Sequence, residues 1–196
     1  MKLDIVITGV GGQGNVLASR ILAQAALDAG YSVRTSEAIG MAQREGVVMS
    51  QVRIGEDLNG AVIPDGTADV LLGFELAETV RGLPKLKPQG TVIANNKTIY
   101  PVTAALGLCH YNRDQLIDYM HNNVTDLHLF DATDLAAQAG TTKTTNIVLL
   151  GALAATNLLP FTKDHLLGRV LQAVPAKFKE INSRAFQLGF QAMEVQ

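Results

Sequence analysis

Asp4-Ile5-Val6-Ile7-Thr8-Gly9-Val10-Gly11-Gly12-Gln13-Gly14 is an apolar strand that runs straight into a glycine-dense turn. In α/β proteins such a turn opens a helix and presents backbone amides to an anion. The glycines at 9, 11 and 14 fit G-x-G-x-x-G, a pattern that dinucleotide sites share with ordinary strand-to-helix turns, so the flanking chain decides its meaning. Residues 3–8 read as the strand. Residues 15–29 read as the helix, because Leu17, Ala18, Ile21, Leu22, Ala25 and Ala29 recur on one face at helical spacing. Gly30 stands where a left-handed C-cap belongs. Residues 31–36 read as a second strand, which the right-handed crossover rule predicts to lie parallel and adjacent to the first.

Downstream, residues 37–46 carry no apolar stripe of helix length, and residues 46–54 read as another strand. Turn signals at Gly55-Glu56-Asp57 and Asn59-Gly60 let residues 61–63 return as the second arm of an antiparallel hairpin. Further strands are expected at 69–73, 91–95 and 126–130, with helices at 75–82 and near 113–121. The last third reads as helical, at 133–139, 145–157, 163–174 and 176–193, punctuated by Gly140, Pro160 and Pro175. The expected architecture is a three-layer α/β/α sandwich with a mostly parallel sheet, one antiparallel hairpin and a helical C-terminal third. A chain of 196 residues with 47% hydrophobic content closes one substantial core, so residues 1–196 are expected to form a single domain.

Sixteen basic and eighteen acidic residues leave a net charge of −2, and no Lys/Arg-rich run suggests a nucleic-acid partner. The single cysteine, Cys109, excludes an internal disulfide, a C-x-x-C pair and a four-cysteine cluster held by this chain alone. Any iron-sulfur centre would belong to a partner. No basic leader opens the sequence and no stretch approaches about 18 uninterrupted apolar residues, so a soluble cytoplasmic protein with no membrane contact is expected. His110, His121, His128 and His165 show neither H-x-x-x-H nor H-x-H spacing, and no metal site is expected. Without a Gly-x-Ser-x-Gly elbow or a Ser/His/Asp set, no residue is assigned a catalytic role. The pattern suggests a chain that assists chemistry done elsewhere.

In an open parallel sheet the ligand crevice lies beyond the carboxyl ends of the strands. Gly9, Gly11, Gly12, Gln13 and Gly14 follow the first strand there, Glu37, Gln43 and Arg44 the second, and Phe74, Glu75, Asn95 and Asn96 two later ones. The glycine loop reads either as an anion cradle of unpaired amides or as a tight turn that binds nothing. It is not a P-loop, since Asn15 follows Gly14 where lysine is required. Glu37 falls about 20 residues beyond the loop, where a ribose-binding carboxylate stands in dinucleotide sites. That spacing supports the alternative of an NAD(P)-binding oxidoreductase or dinucleotide sensor, while the missing helix after the second strand opposes it. Against the ribose role, Glu37 also reads as a solvated strand-end carboxylate. Between Gly40 and Gly46, Met41 could cover an apolar partner and Arg44, beside Gln43, could fork onto a carboxylate or phosphate. In the last helix Phe178, Ile181, Ala185, Phe186 and Leu188 form an apolar stripe interrupted by Asn182 and Gly189, for the core or for a partner.

Four segments in order, Thr8-Gly9-Val10-Gly11-Gly12-Gln13-Gly14, Ser36-Glu37 with Gly40-Met41-Ala42-Gln43-Arg44, Val52-Arg53-Ile54-Gly55, and Asn182-x-x-Ala185-Phe186-x-x-Gly189, resemble the gamma-type domain of 2-oxoacid:ferredoxin oxidoreductases. The likeness takes in residues 66–73, Glu75 and Thr145-Asn146, and so covers nearly the whole chain; Glu45 departs from it, standing where the pattern has glycine. The resemblance implies a small subunit of an enzyme that oxidatively decarboxylates an aryl 2-oxoacid such as indolepyruvate, with coenzyme A as acyl acceptor and ferredoxin as electron acceptor. It also implies that thiamine diphosphate and the iron-sulfur clusters reside on a large partner subunit, and that this chain binds no cofactor firmly. Gly9, Gly11, Gly12, Gln13, Gly14, Glu37, Gln43 and Arg44 are then candidates for ligand or interface contact.

Overall fold

A computed structural model describes residues 1–40, 46–100, 104, 106–108 and 110–194. Gln43, Arg44 and Cys109, with Pro101, lie outside the described residues. Six strands form one sheet: β1 (Lys2–Val10), β2 (Val33–Ile39), β3 (Val47–Gly55), β4 (Ala68–Gly73), β5 (Leu86–Asn95) and β6 (Asp126–Phe130), in the order β2-β3-β1-β4-β5-β6. The helices are α1 (Asn15–Asp28), α2 (Leu76–Gly82), α3 (Arg113–Asn123), α4 (Ala132–Ala139), α5 (Thr145–Ala155), α6 (Lys163–Ala173) and α7 (Lys179–Glu194).

Alternation along the strands divides the core in two. Ile5, Ile7, Val52, Ile54, Val70, Leu72 and Ile93 pack beneath α1, α4, α5, α6 and α7. Val6, Leu71, Val92 and Ala94 point the other way, onto a smaller cluster with Ile63 and Val124. The three-layer sandwich with its helical C-terminal third is therefore present. Among the described residues no helix is long and apolar enough to cross a membrane.

The sequence expectation for the first two strands needs correction. They run in the same direction but are not adjacent, because β3 lies between them and pairs antiparallel with both. Its residues Ser50 to Gly55 are all buried, as a strand covered on both faces must be. The antiparallel hairpin is β2–β3, and residues 61–63 are not its second arm. Their backbone groups are claimed by side chains instead of a ladder. Arg53 Nη1 donates to the carbonyls of Asn59, Gly60 and Val62 at 3.2–3.4 Å, and the Ile63 amide donates to Gln51 Oε1 at 2.5 Å. Arg53 is itself buried against Asp4, with Nε 2.9 Å from Oδ1.

The C-terminal helices owe their closeness to two glycines. α5 is buried from Asn146 to Ala154, as expected of a helix apolar all round. α7 crosses it so tightly that a Cβ on Gly189 would lie 1.8 Å from the Val148 carbonyl oxygen, and one on Gly151 2.0 Å from that of Phe186. Gly189, which interrupts the apolar stripe in the sequence, is thus the contact itself.

Gly189→Ala is expected to force the helices apart and cost about 3 kcal/mol. Gly168→Ala, on α6 with open space around the new methyl, should gain up to about 1 kcal/mol from helix propensity alone. Urea unfolding of the two variants checks this; a Gly189→Ala protein as stable as the parent would contradict it.

Candidate functional site

The glycine turn is tied down by its own glutamine. Gln13 Oε1 accepts the Val10 amide at 2.9 Å, and Gln13 Nε2 donates to the Phe74 carbonyl, at the end of β4, at 3.3 Å. Gly9 leaves room for this bridge: a Cβ there would meet Gln13 Oε1 at 2.5 Å, Asn15 Nδ2 at 2.8 Å and Phe74 Cβ at 2.9 Å. The Gly11 amide donates to the Gly46 carbonyl at 2.9 Å and that of Gln13 to Val10 at 3.3 Å. Gly12 and Gly14 have φ of 90° and 84°, a left-handed conformation that side chains disfavour. Gly14 is the N-cap of α1, whose first turn has neither a side-chain cap nor an acidic residue, so its leading amides are those a helix leaves for an external acceptor.

Beside this turn a cleft of about 310 Å³ is lined by Gly12, Gln13, Phe74, Asn95, Lys97, Ile99, Thr133, Thr142, Lys143 and Thr145. These residues come from the segments beyond the carboxyl ends of β1, β4, β5 and β6 and from the approach to α5, where the open-sheet rule puts a ligand. Asn95 organises its floor. Its Nδ2 donates to the Phe74 carbonyl at 3.2 Å and to Thr133 Oγ1 at 2.9 Å, while its Oδ1 accepts the Ala132 amide at 3.1 Å. Lys97 and Lys143 supply two exposed cations, Thr142 and Thr145 hydroxyls, and no lining residue is acidic. Such a surface is suited to an anion with several oxygen acceptors.

The residues singled out from the sequence separate here. Gly12 and Gln13 line the cleft; Gly9, Gly11 and Gly14 shape the turn behind it. Glu37 is elsewhere, exposed on the edge strand β2 with its carboxylate 3.5 Å from Ser19 Oγ on α1, and β3 stands between it and the glycine turn. Lys97, Ile99, Thr133, Thr142 and Lys143 were not foreseen. Thr145, which enters the family likeness with Asn146, is the one part of this wall that the sequence marks. Among the described residues no group of three or more His, Cys, Asp or Glu could hold a metal ion.

One carboxylate among the described residues is out of its ordinary range. Glu78, on α2, is buried, and desolvation raises its pKa; Arg81, which pairs with it, lowers it and the Glu75 carboxylate raises it further. The arginine is largely exposed, so its pairing offsets little of the burial.

Residues 4–192 match the family model described as pyruvate ferredoxin/flavodoxin oxidoreductase. The chain is 44% identical to the indolepyruvate oxidoreductase subunit IorB of Thermococcus kodakarensis, over 97% of this chain and 96% of that protein. It is 37% identical to the subunit of the same name from Methanothermobacter thermautotrophicus, over 98% of each. Among solved structures it is similar to the gamma subunit of a keto/oxoacid ferredoxin oxidoreductase from Geobacter sulfurreducens, with a TM-score of 0.73, 26% identity and 99% of each chain covered.

Two expectations follow from this geometry. Gly9→Ala should displace Gln13 and cost about 1–3 kcal/mol, whereas Gly12→Ala, with open space around its Cβ, should cost only about 1 kcal/mol of left-handed strain; equal urea midpoints would contradict the bridge. For Glu78, the native state binds more protons than the unfolded state between the ordinary carboxylate pKa and the raised one. Stability therefore falls as pH rises through that window. Glu78→Gln should remove this slope and raise the thermal midpoint at neutral pH, and a melting series with an unchanged pH dependence would contradict the assignment.

Proposed function

The chain belongs to the pyruvate ferredoxin/flavodoxin oxidoreductase family, and from that premise we propose that it is the small, non-cluster subunit of an indolepyruvate-type 2-oxoacid:ferredoxin oxidoreductase. The assembly would convert an aryl 2-oxoacid to its acyl-coenzyme A, releasing carbon dioxide and passing the electrons to ferredoxin. Thiamine diphosphate and the iron-sulfur clusters are assigned to a large partner subunit in the cytoplasm. Full-length identity to subunits whose names carry indolepyruvate supports the substrate, and the single cysteine supports a cluster-free role for this chain. Residues 1–196 act in this reading as one gamma-type domain.

Within that assembly the chain's own contribution is an anion site. The observation that carries it is the cleft beyond β1, β4, β5 and β6, lined by two lysines, three threonines and the Gly12–Gln13 backbone, with no carboxylate. These groups fit the phosphates of coenzyme A. Lys97 and Lys143 would neutralise them, Thr142 would donate its hydroxyl, the Thr145 hydroxyl being held by the Thr142 carbonyl at 2.7 Å, and the glycine turn would let an oxygen approach the backbone. Gln13 and Asn95 keep the walls in place. Glu37 at the sheet edge, with Gln43 and Arg44 beyond β2, is assigned to contact with the large subunit.

Mixing the chain with its large subunit should give coenzyme A-dependent reduction of ferredoxin by indolepyruvate. Lys97→Ala combined with Lys143→Ala should raise the KM for coenzyme A at least about tenfold, equivalent to about 1.4 kcal/mol, with the KM for indolepyruvate unchanged. Full activity of the large subunit alone, or an unaltered KM for coenzyme A in the double variant, would overturn the respective part of the reading.

A further inference from the structure

Glu75 follows Phe74 at the end of β4 and is 2% exposed. Its side chain caps α2, with Oε2 accepting the Glu78 amide at 2.9 Å. A cap alone would be served by Ser, Thr, Asp or Asn, whose short side chains are the preferred ones. The longer glutamate reaches a second segment. Its Oε1 accepts the Ile99 amide at 3.1 Å and the Tyr111 hydroxyl at 3.4 Å.

Both partners matter because of where they lie. Beyond β5 the chain leaves the ladder, yet Lys97 and Ile99 form one wall of the cleft. That wall is irregular backbone held by separate ties: the Asn96 amide to the Phe130 carbonyl at 2.9 Å, the Leu76 amide to the Lys97 carbonyl at 3.1 Å, Arg113 Nη2 to the Asn96 carbonyl at 3.3 Å, and the Ile99 amide to Glu75. Tyr111, its ring 5.0 Å from that of Tyr100, backs the same stretch. Burial and the carboxylate it faces push the Tyr111 hydroxyl up to about 12, so it stays a donor across the physiological range.

We propose that Glu75 is a positioning residue for the anion site: one buried carboxylate joins the start of α2 to Ile99 and Tyr111 and so holds the Lys97 wall in its binding position. The inference rests on the reading of the cleft as an anion site. Two acceptor oxygens are needed because donors face both of them; glutamine would turn an N–H toward at least one backbone N–H. The side chain touches no reactant, and its effect passes through Lys97.

Glu75→Asp separates the two ties, since aspartate remains a good cap for α2 but is one carbon short of Ile99. In the assembled enzyme Glu75→Asp should raise the KM for coenzyme A about fivefold or more, leave kcat within about twofold and the KM for indolepyruvate unchanged, and lose amide-exchange protection at Ile99. Glu75→Gln should show the same KM-against-kcat split, and Tyr111→Phe a smaller rise. A Glu75→Asp enzyme with parental protection at Ile99, or with lost protection and a parental KM for coenzyme A, overturns the proposal. If Lys97→Ala and Lys143→Ala together leave that KM unchanged, the anion reading itself has failed, while exchange at Ile99 still reports the clamp independently.

Discussion

The carbonyl oxygen of Phe74 accepts two side-chain amides, Gln13 Nε2 from the turn after β1 and Asn95 Nδ2 from the end of β5. Three neighbouring parallel strands are locked at their carboxyl ends through that one atom. Each amide side chain also uses its oxygen: Gln13 holds the Val10 amide, closing the glycine turn on itself, and Asn95 holds the Ala132 amide at the start of α4. A strand end is where a parallel sheet has loose loops, and here two buried or half-buried amides replace the missing ladder bonds. Gly9 follows from the same arrangement, since any larger residue would occupy the place of the Gln13 side chain.

The cleft inherits its chemistry from this lock. With the loops fixed, the groups left to face a ligand are those the lock does not use: the exposed Gly12 backbone, two lysines and the Thr142 hydroxyl before α5. The antiparallel β3 works to the same end from the other side. By standing between β1 and β2 it moves Glu37 a strand farther from the glycine turn than in a β-α-β dinucleotide half. Its buried Arg53–Asp4 pair holds the 59–62 segment that follows β3, an interaction whose value lies more in geometry than in net energy.

Local periodicity made much of the architecture readable. The strand and helix around the glycine turn, the strand at 126–130 and the helices of the last third follow from alternation, 3.6-residue spacing and Gly/Pro punctuation. Strand order did not, because the insertion of β3 between β1 and β2 rests on its pairing with β1, a long-range choice that no local pattern in Val47–Gly55 encodes. Residues 61–63 have the composition of a strand, yet Arg53 and Gln51 claim their backbone. For the site, the glycine turn, Gln13, Phe74 and Asn95 were legible from their positions after strands. Lys97 and Lys143 are ordinary lysines in the sequence, and only the fold brings them to one cleft. Glu75 was visible as a strand-end residue, but its reach to Ile99 is a property of the tertiary structure.

The proposed site seats an anion of coenzyme A between the glycine turn and the approach to α5. Amide hydrogen exchange of the assembled enzyme with and without coenzyme A tests this most directly. Added protection confined to residues 12–17 and 142–145 is the predicted result; protection appearing only elsewhere, with both segments exchanging as before, would contradict it.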